Sequence, residues 1–115
     1  MDVLTLKSRG KRKIKSTTLF LTLKKLQFEV TSSGEKNIEY RKAGKWILSR
    51  LINKDYEYVK FTNGYGKDRP YFICEFKGWS YAKPGVFNFS NGLVVNVDER
   101  YVEISLGNII TVKNI

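Results

Sequence analysis

The chain has 115 residues, 42% of them hydrophobic, which suffices for one domain with a real core and is too short for two. Histidine is absent and Cys74 is the single cysteine, which excludes Cys/His zinc patterns, serine–histidine triads and an internal disulfide. The formal charge of +10, from 21 Lys and Arg against 11 Asp and Glu, favours a polyanionic partner.

That excess gathers at the N-terminal end. Lys7, Arg9, Lys11, Arg12, Lys13, Lys15, Lys24 and Lys25 fall between residues 3 and 28, where no acidic side chain occurs. Residues 1–16 therefore read as a basic arm, with Lys11, Arg12 and Lys13 as candidate phosphate contacts, and residues 17–115 as a single domain. Thr17 to Leu23 is apolar and β-branched, a predicted strand. From Lys24 to Ser33 the i,i+4 pair Leu26 and Val30, flanked by Leu23 and Gln27, predicts a short helix that Ser32-Ser33-Gly34 stops. An extended segment from Lys36 to Arg41 follows. Lys45 to Leu51 has a helical period, with Trp46 and Arg50 able to meet at i,i+4. Tyr56 to Thr62 alternates as a strand, and Asn63 to Pro70 is a loop. Tyr71 to Lys77 predicts the next strand, with Phe72, Cys74 and Phe76 on one side. The stretch from Gly78 to Gly92 reads as a long excursion around Pro84-Gly85, and Leu93–Val97, Tyr101–Leu106 and Ile109–Val112 as three final strands. The whole is mostly β with two short helices, a small barrel-like fold.

The densest chemistry lies in Gly34-Glu35-Lys36-Asn37-Ile38-Glu39-Tyr40-Arg41. In an extended chain Asn37, Glu39 and Arg41 share one face, with Ile38 and Tyr40 on the other. Lys36 can serve as a base in an apolar cleft, or as an anion clamp if a glutamate holds it charged. Glu39 can accept a hydrogen bond from a base amino group or orient Lys36, and Arg41 can grip phosphate or a base edge with two prongs. The competing reading is an ion pair on a strand face. Trp46 can stack a base while Arg50 meets phosphate, or Trp46 can simply belong to the core. In the loop, Asn63, Tyr65, Lys67 and Arg69 combine polar, aromatic and basic groups suited to a base and its phosphate. Glu75 and Glu103 are the remaining carboxylates for acid–base work. Cys74 alternates with Phe72 and Phe76 and reads as core. Nothing calls for a metal or cofactor.

The succession Phe28-Glu29-Val30 through Gly34-x-Lys36-x-x-Glu39-x-Arg41 resembles the signature of the ASCH domain, a relative of the PUA fold. Trp46, Arg50-Leu51, the Tyr56–Phe61 strand, Asn63-Gly64-Tyr65-Gly66, Arg69-Pro70 and Ile104 to Ile110 resemble the branch common in small phage and prophage proteins. The resemblance spans residues 18–112 and implies a small PUA-like β-barrel with a cleft beside the motif strand. It implies RNA binding, RNA processing or modified-nucleoside chemistry. Some relatives are amidohydrolases acting on acylated cytidine through a lysine, a threonine and a glutamate. Lys36 matches the lysine, Glu39 stands where the threonine would be, and their distant acid has no counterpart.

The leading expectation is a nucleic-acid-binding module for RNA or a modified base, with DNA a further ligand. Its cleft would be lined by Lys36, Glu39, Arg41 and the Asn63–Arg69 loop. The alternatives are a small hydrolase, for N-acylated cytidine-like nucleosides or RNA, using Lys36 and Glu39, and a phage protein that captures a host protein. No apolar run approaches the roughly 20 residues that span a bilayer. Met1-Asp2-Val3-Leu4 lacks the order of a signal peptide, so a cytoplasmic setting (the host's, for a phage protein) without a membrane partner is expected.

Overall fold

The computed structural model describes residues 18–113; the basic arm, with Lys11, Arg12 and Lys13, lies outside the described residues. The elements in order are β1 (Thr18–Leu23), α1 (Lys25–Ser32), β2 (Ile38–Lys42), α2 (Lys45–Leu51), β3 (Tyr58–Asn63), β4 (Tyr71–Tyr81), β5 (Gly85–Asn88), β6 (Val94–Val97) and β7 (Tyr101–Lys113). Five strands form one sheet in the order β1-β3-β4-β7-β2, while β5 and β6 pair as a separate hairpin. Among the described strands only β1 and β3 pair in parallel.

The sheet is curled and open, with β1 and β2 as its two edges. Period-2 alternation sends Leu19, Leu21, Val59, Phe61, Phe72, Cys74, Val102 and Ile104 to the inner face. Phe28 of α1 and Ile47 and Leu51 of α2 close over them to complete the main core. A smaller core, Ala82, Val95 and Val97, packs with Tyr40, Phe87 and Tyr101 where the hairpin leans on β2.

Three elements differ from their sequence reading. Leu26 is 44% exposed, because α1 turns Phe28, Val30 and Thr31 inward instead of a Leu26 face. The excursion after Gly78 contains the end of β4 and a whole strand, β5, since Pro84-Gly85 serves as a hairpin entry rather than a loop. Gly107-Asn108 does not divide two strands. β7 runs through both residues and follows β4 by shifting register at three places, between Ile73 and Cys74, Cys74 and Phe76, and Phe76 and Trp79.

Gly107 is required by close approach. A Cβ there would lie 2.5 Å from Glu75 Oε1 and 2.9 Å from Glu75 Cβ. The Glu75 carboxylate folds across the glycine and accepts the Asn108 backbone N–H at 2.9 Å, a ladder donor that the irregular register leaves over.

Candidate functional site

Gly34 places the central lysine. At the end of α1 the Ser33 N–H reaches the Glu29 carbonyl, and Gly34 then takes φ +89°. The chain doubles back so that the Lys36 N–H donates to the Val30 carbonyl at 2.9 Å. The Lys36 side chain consequently enters the interior and is only 2% exposed. Glu39, two strand positions before Arg41, faces the same way and is 4% exposed.

Three charges meet there. Lys36 Nζ donates to Glu39 Oε1 at 2.8 Å, and Arg41 Nε donates to Glu39 Oε2 at 2.6 Å. Arg41 Nη2 donates to the Thr22 carbonyl at 2.7 Å. That last bond joins β2 to β1, the two open edges of the sheet. Arg41 therefore acts as a side-chain staple across a gap that no backbone ladder among the described residues closes. Two cations share one carboxylate, which leaves a formal excess of one positive charge in a largely dry setting.

Lys36 and Asn37 border two cavities. The larger, about 360 Å³, opens where β2 stops pairing with β7; the Leu106 N–H makes the last bond, to the Asn37 carbonyl at 3.0 Å. Beyond it, the edge of β7 that faced β2 has no strand beside it among the described residues, and Phe72, Cys74, Leu106 and Ile109 form apolar walls with Lys36, Asn37 and Asn108 as polar groups. The smaller, about 210 Å³, lies between β2 and the hairpin, against Tyr40, Phe87 and Phe89. Tyr40 and Phe87 stack with centroids 5.1 Å apart, and Lys36 Nζ is 5.8 Å from the Tyr40 ring centre. Glu35 holds the hairpin tip, accepting the Ser90 N–H at 2.8 Å and the Ser90 hydroxyl at 2.6 Å. Those two bonds lower the Glu35 pKa below its ordinary value.

Other candidates lie elsewhere. Trp46 is 52% exposed rather than core, with the Arg50 guanidinium 5.2 Å from its ring centre. Tyr65 is 88% exposed at the loop tip, and Lys67 is also exposed. Arg69 Nε donates to the Asn63 carbonyl at 2.7 Å, which closes the loop on itself. This loop borders a groove on the outer face of the sheet, and none of its residues lines the Lys36 cavities. The strand period explains the separation: β4 sends Phe72 inward and Tyr71 outward. Glu75 is engaged by Asn108 and lies 3.6 Å from Lys77. Glu103 sits opposite Tyr40 on β7, where its charge adds to burial in raising the Tyr40 pKa. Cys74 is buried in the cavity wall, and desolvation, with the neighbouring Glu75, pushes its thiol up to about 12. It stays protonated at neutral pH and is no nucleophile.

Thr31, Gly107, Asn108 and Ile109 line the large cavity without having been singled out. Thr31 stands 76 residues before the consecutive Gly107, Asn108 and Ile109, and only the length of β7 brings them together. The one local signal, a glycine beside an asparagine, reads equally well as a break. Among the described residues no group of three or more Cys, Asp or Glu could hold a metal ion, and no helix is long and apolar enough to cross a membrane. No family model matches this chain, and comparison with curated proteins and with solved structures likewise gives no match.

Proposed function

We propose that the protein binds nucleic acid, RNA or a modified base foremost, by seating one base in the cavity beside Lys36. The observation that carries this reading is a buried ammonium group at the wall of a cavity of about 360 Å³, a volume within the range of small-molecule sites. Among the described residues Glu39 is its one hydrogen-bond acceptor, so protons remain on Nζ for a ring nitrogen or carbonyl oxygen. Phe72, Leu106 and Ile109 supply flat apolar contact for the ring, and Asn37 and Asn108 supply amide donors and acceptors for its edge. The net charge of +10 supplies attraction for the phosphates. The ASCH resemblance favours the same ligand class, and in this reading the curled sheet is a PUA-like half-barrel closed by Arg41.

A hydrolase reading draws on the 2.8 Å contact between Lys36 and Glu39. In it, water adds across an amide bond of an N-acylated cytidine and releases the acid and the amine. Binding is the better supported of the two. Both Glu39 oxygens are already committed to cations, which leaves neither of them free to take a proton from water.

Fluorescence anisotropy with labelled ten-nucleotide RNA and DNA tests the proposal, beside Asn108→Ala and Lys36→Met variants whose fold is checked by circular dichroism. Saturable RNA binding that weakens at least tenfold in Lys36→Met and falls in Asn108→Ala supports it. Absence of binding at 50 mM salt, or equal affinity in all three proteins, overturns it. Release of acetate from N-acetylcytidine, lost in Lys36→Met, decides for the hydrolase.

A further inference from the structure

We infer that the outer face of the sheet carries a second, separate site, one for phosphate groups, built by Lys60, Arg69 and Lys113 around Tyr71. Thr62, Tyr71 and Lys113 are direct neighbours across β3, β4 and β7, so they form one row on the outward side of three adjacent strands. Lys60 belongs to the same face two residues along, with Nζ 4.1 Å from the Tyr71 ring centre. This contact holds the ammonium over the row rather than letting it extend into water. Arg69 comes in from the loop. Its Nε is spent on the Asn63 carbonyl, and its guanidinium lies against Gly64, where a Cβ would come within 3.5 Å of Nη2. The terminal nitrogens of the fork are thereby fixed beside the row with donors left over.

These groups border a groove of about 210 Å³, with Asp68 as its one carboxylate. Three cations against one anion leave an excess of two positive charges. Among the described residues none of the three takes part in an ion pair. An intramolecular role would be expected to pair them; a phosphate with several acceptor oxygens answers all three, together with the Thr62 and Tyr71 hydroxyls.

The groove and the Lys36 cavity stand back to back, since Tyr71 lines one and Phe72 the other. Past Leu106 no described residue pairs with the β2-facing edge of β7, so a nucleic-acid strand passing between the two sites would round that edge. The polymeric ligand rests on the nucleic-acid reading above; the phosphate chemistry does not.

Two measurements test the site. The first is the salt dependence of binding to a labelled ten-nucleotide oligouridylate, in wild type and in Lys60→Gln/Lys113→Gln. Loss of two phosphate contacts makes the slope of log K against log salt shallower by about 1.4. An unchanged slope overturns the site while leaving the base cavity standing. The second is an amide NMR titration with inorganic phosphate. Shifts confined to Lys60, Thr62, Tyr71 and Lys113, absent in the double variant, support the site. If phosphate shifts them and no oligonucleotide binds, the ligand is free phosphate and the nucleic-acid reading fails. If neither phosphate nor oligonucleotide perturbs these residues, the site is refuted.

Discussion

Replacing Glu39 by glutamine isolates the role of the buried charges. The carboxylate has a cation on each oxygen, Lys36 at 2.8 Å and Arg41 at 2.6 Å, and both Glu39 and Lys36 are almost wholly withdrawn from water. Glutamine keeps the shape and removes the charge, so Lys36 is left as an uncompensated buried ammonium. Breaking a buried pair in this way costs about 3–5 kcal/mol. Replacing Lys36 by methionine is milder. Arg41, 25% exposed, still pairs with Glu39, and the loss reduces to one charged hydrogen bond partly offset by an ammonium that no longer needs burying, about 1–2 kcal/mol. The double variant Lys36→Met/Glu39→Gln should then be more stable than Glu39→Gln alone, because the orphaned charge is gone. Urea denaturation at pH 7 followed by tryptophan fluorescence measures all three, provided the slopes agree. The reasoning is refuted if Glu39→Gln costs less than about 1 kcal/mol, or if the double variant is less stable than Glu39→Gln.

Three further outcomes follow from other contacts. Gly107→Ala drives a methyl group onto Glu75 and should cost about 1–3 kcal/mol; adding Glu75→Ala should restore only part of it in a thermal melt, since Glu75 Cβ remains 2.9 Å away. Cys74 has its pKa raised to about 12 from 9.0, so the native state holds a proton that the unfolded state releases, and stability should fall as pH rises through that window. Cys74→Ala should remove that part of the slope, and native protein should resist a thiol reagent at pH 8 that labels it in urea. For Glu35 the sign is opposite: a pKa lowered by Ser90 means a contribution present above 4.5 and lost as pH falls through the lowered value. The Ser90 amide resonance should move through that acid range in wild type and stay put in Glu35→Gln.

Alternation made much of this fold legible. Val59 and Phe61, and Phe72 and Cys74, face inward as period two requires, and the same rule placed Glu39 and Arg41 on one face. What alternation leaves out is which strand lies across the gap. Arg41 finds its second acceptor on Thr22, nineteen residues away at the opposite sheet edge, and no local pattern names that partner. The cavity was illegible for a related reason. Its walls come from α1, β4 and β7, and it exists because β2 is shorter than the strand it pairs with. The hydrophobic pattern reports which way a residue points, whereas a cavity depends on where a neighbouring element ends. The Asn63–Arg69 loop shows the converse: its composition suited a ligand, but the inward turn of Phe72 puts it on the other side of the sheet from Lys36.

In the proposed reading the motif around Lys36 serves stability and recognition through the same atoms, and this constrains how either can change. An open sheet whose edges no described strand pairs needs something to hold them, and Arg41 does so by reaching the Thr22 carbonyl. The guanidinium must then be kept in place by a carboxylate, which is Glu39. A lone buried Glu39–Arg41 pair would balance its charges; adding Lys36 unbalances them and gains the staple nothing. The extra cation becomes intelligible only when the cavity is considered, because Lys36 is the member of the three that lines it. An electron-rich ligand there would restore the balance that the fold leaves incomplete. Ligand binding should therefore stabilise the protein by mass action, and the gain should shrink in Lys36→Met, whose site has no surplus charge to answer. A melting temperature that rises equally with RNA in wild type and Lys36→Met would place the ligand elsewhere and reduce the three charges to a clasp.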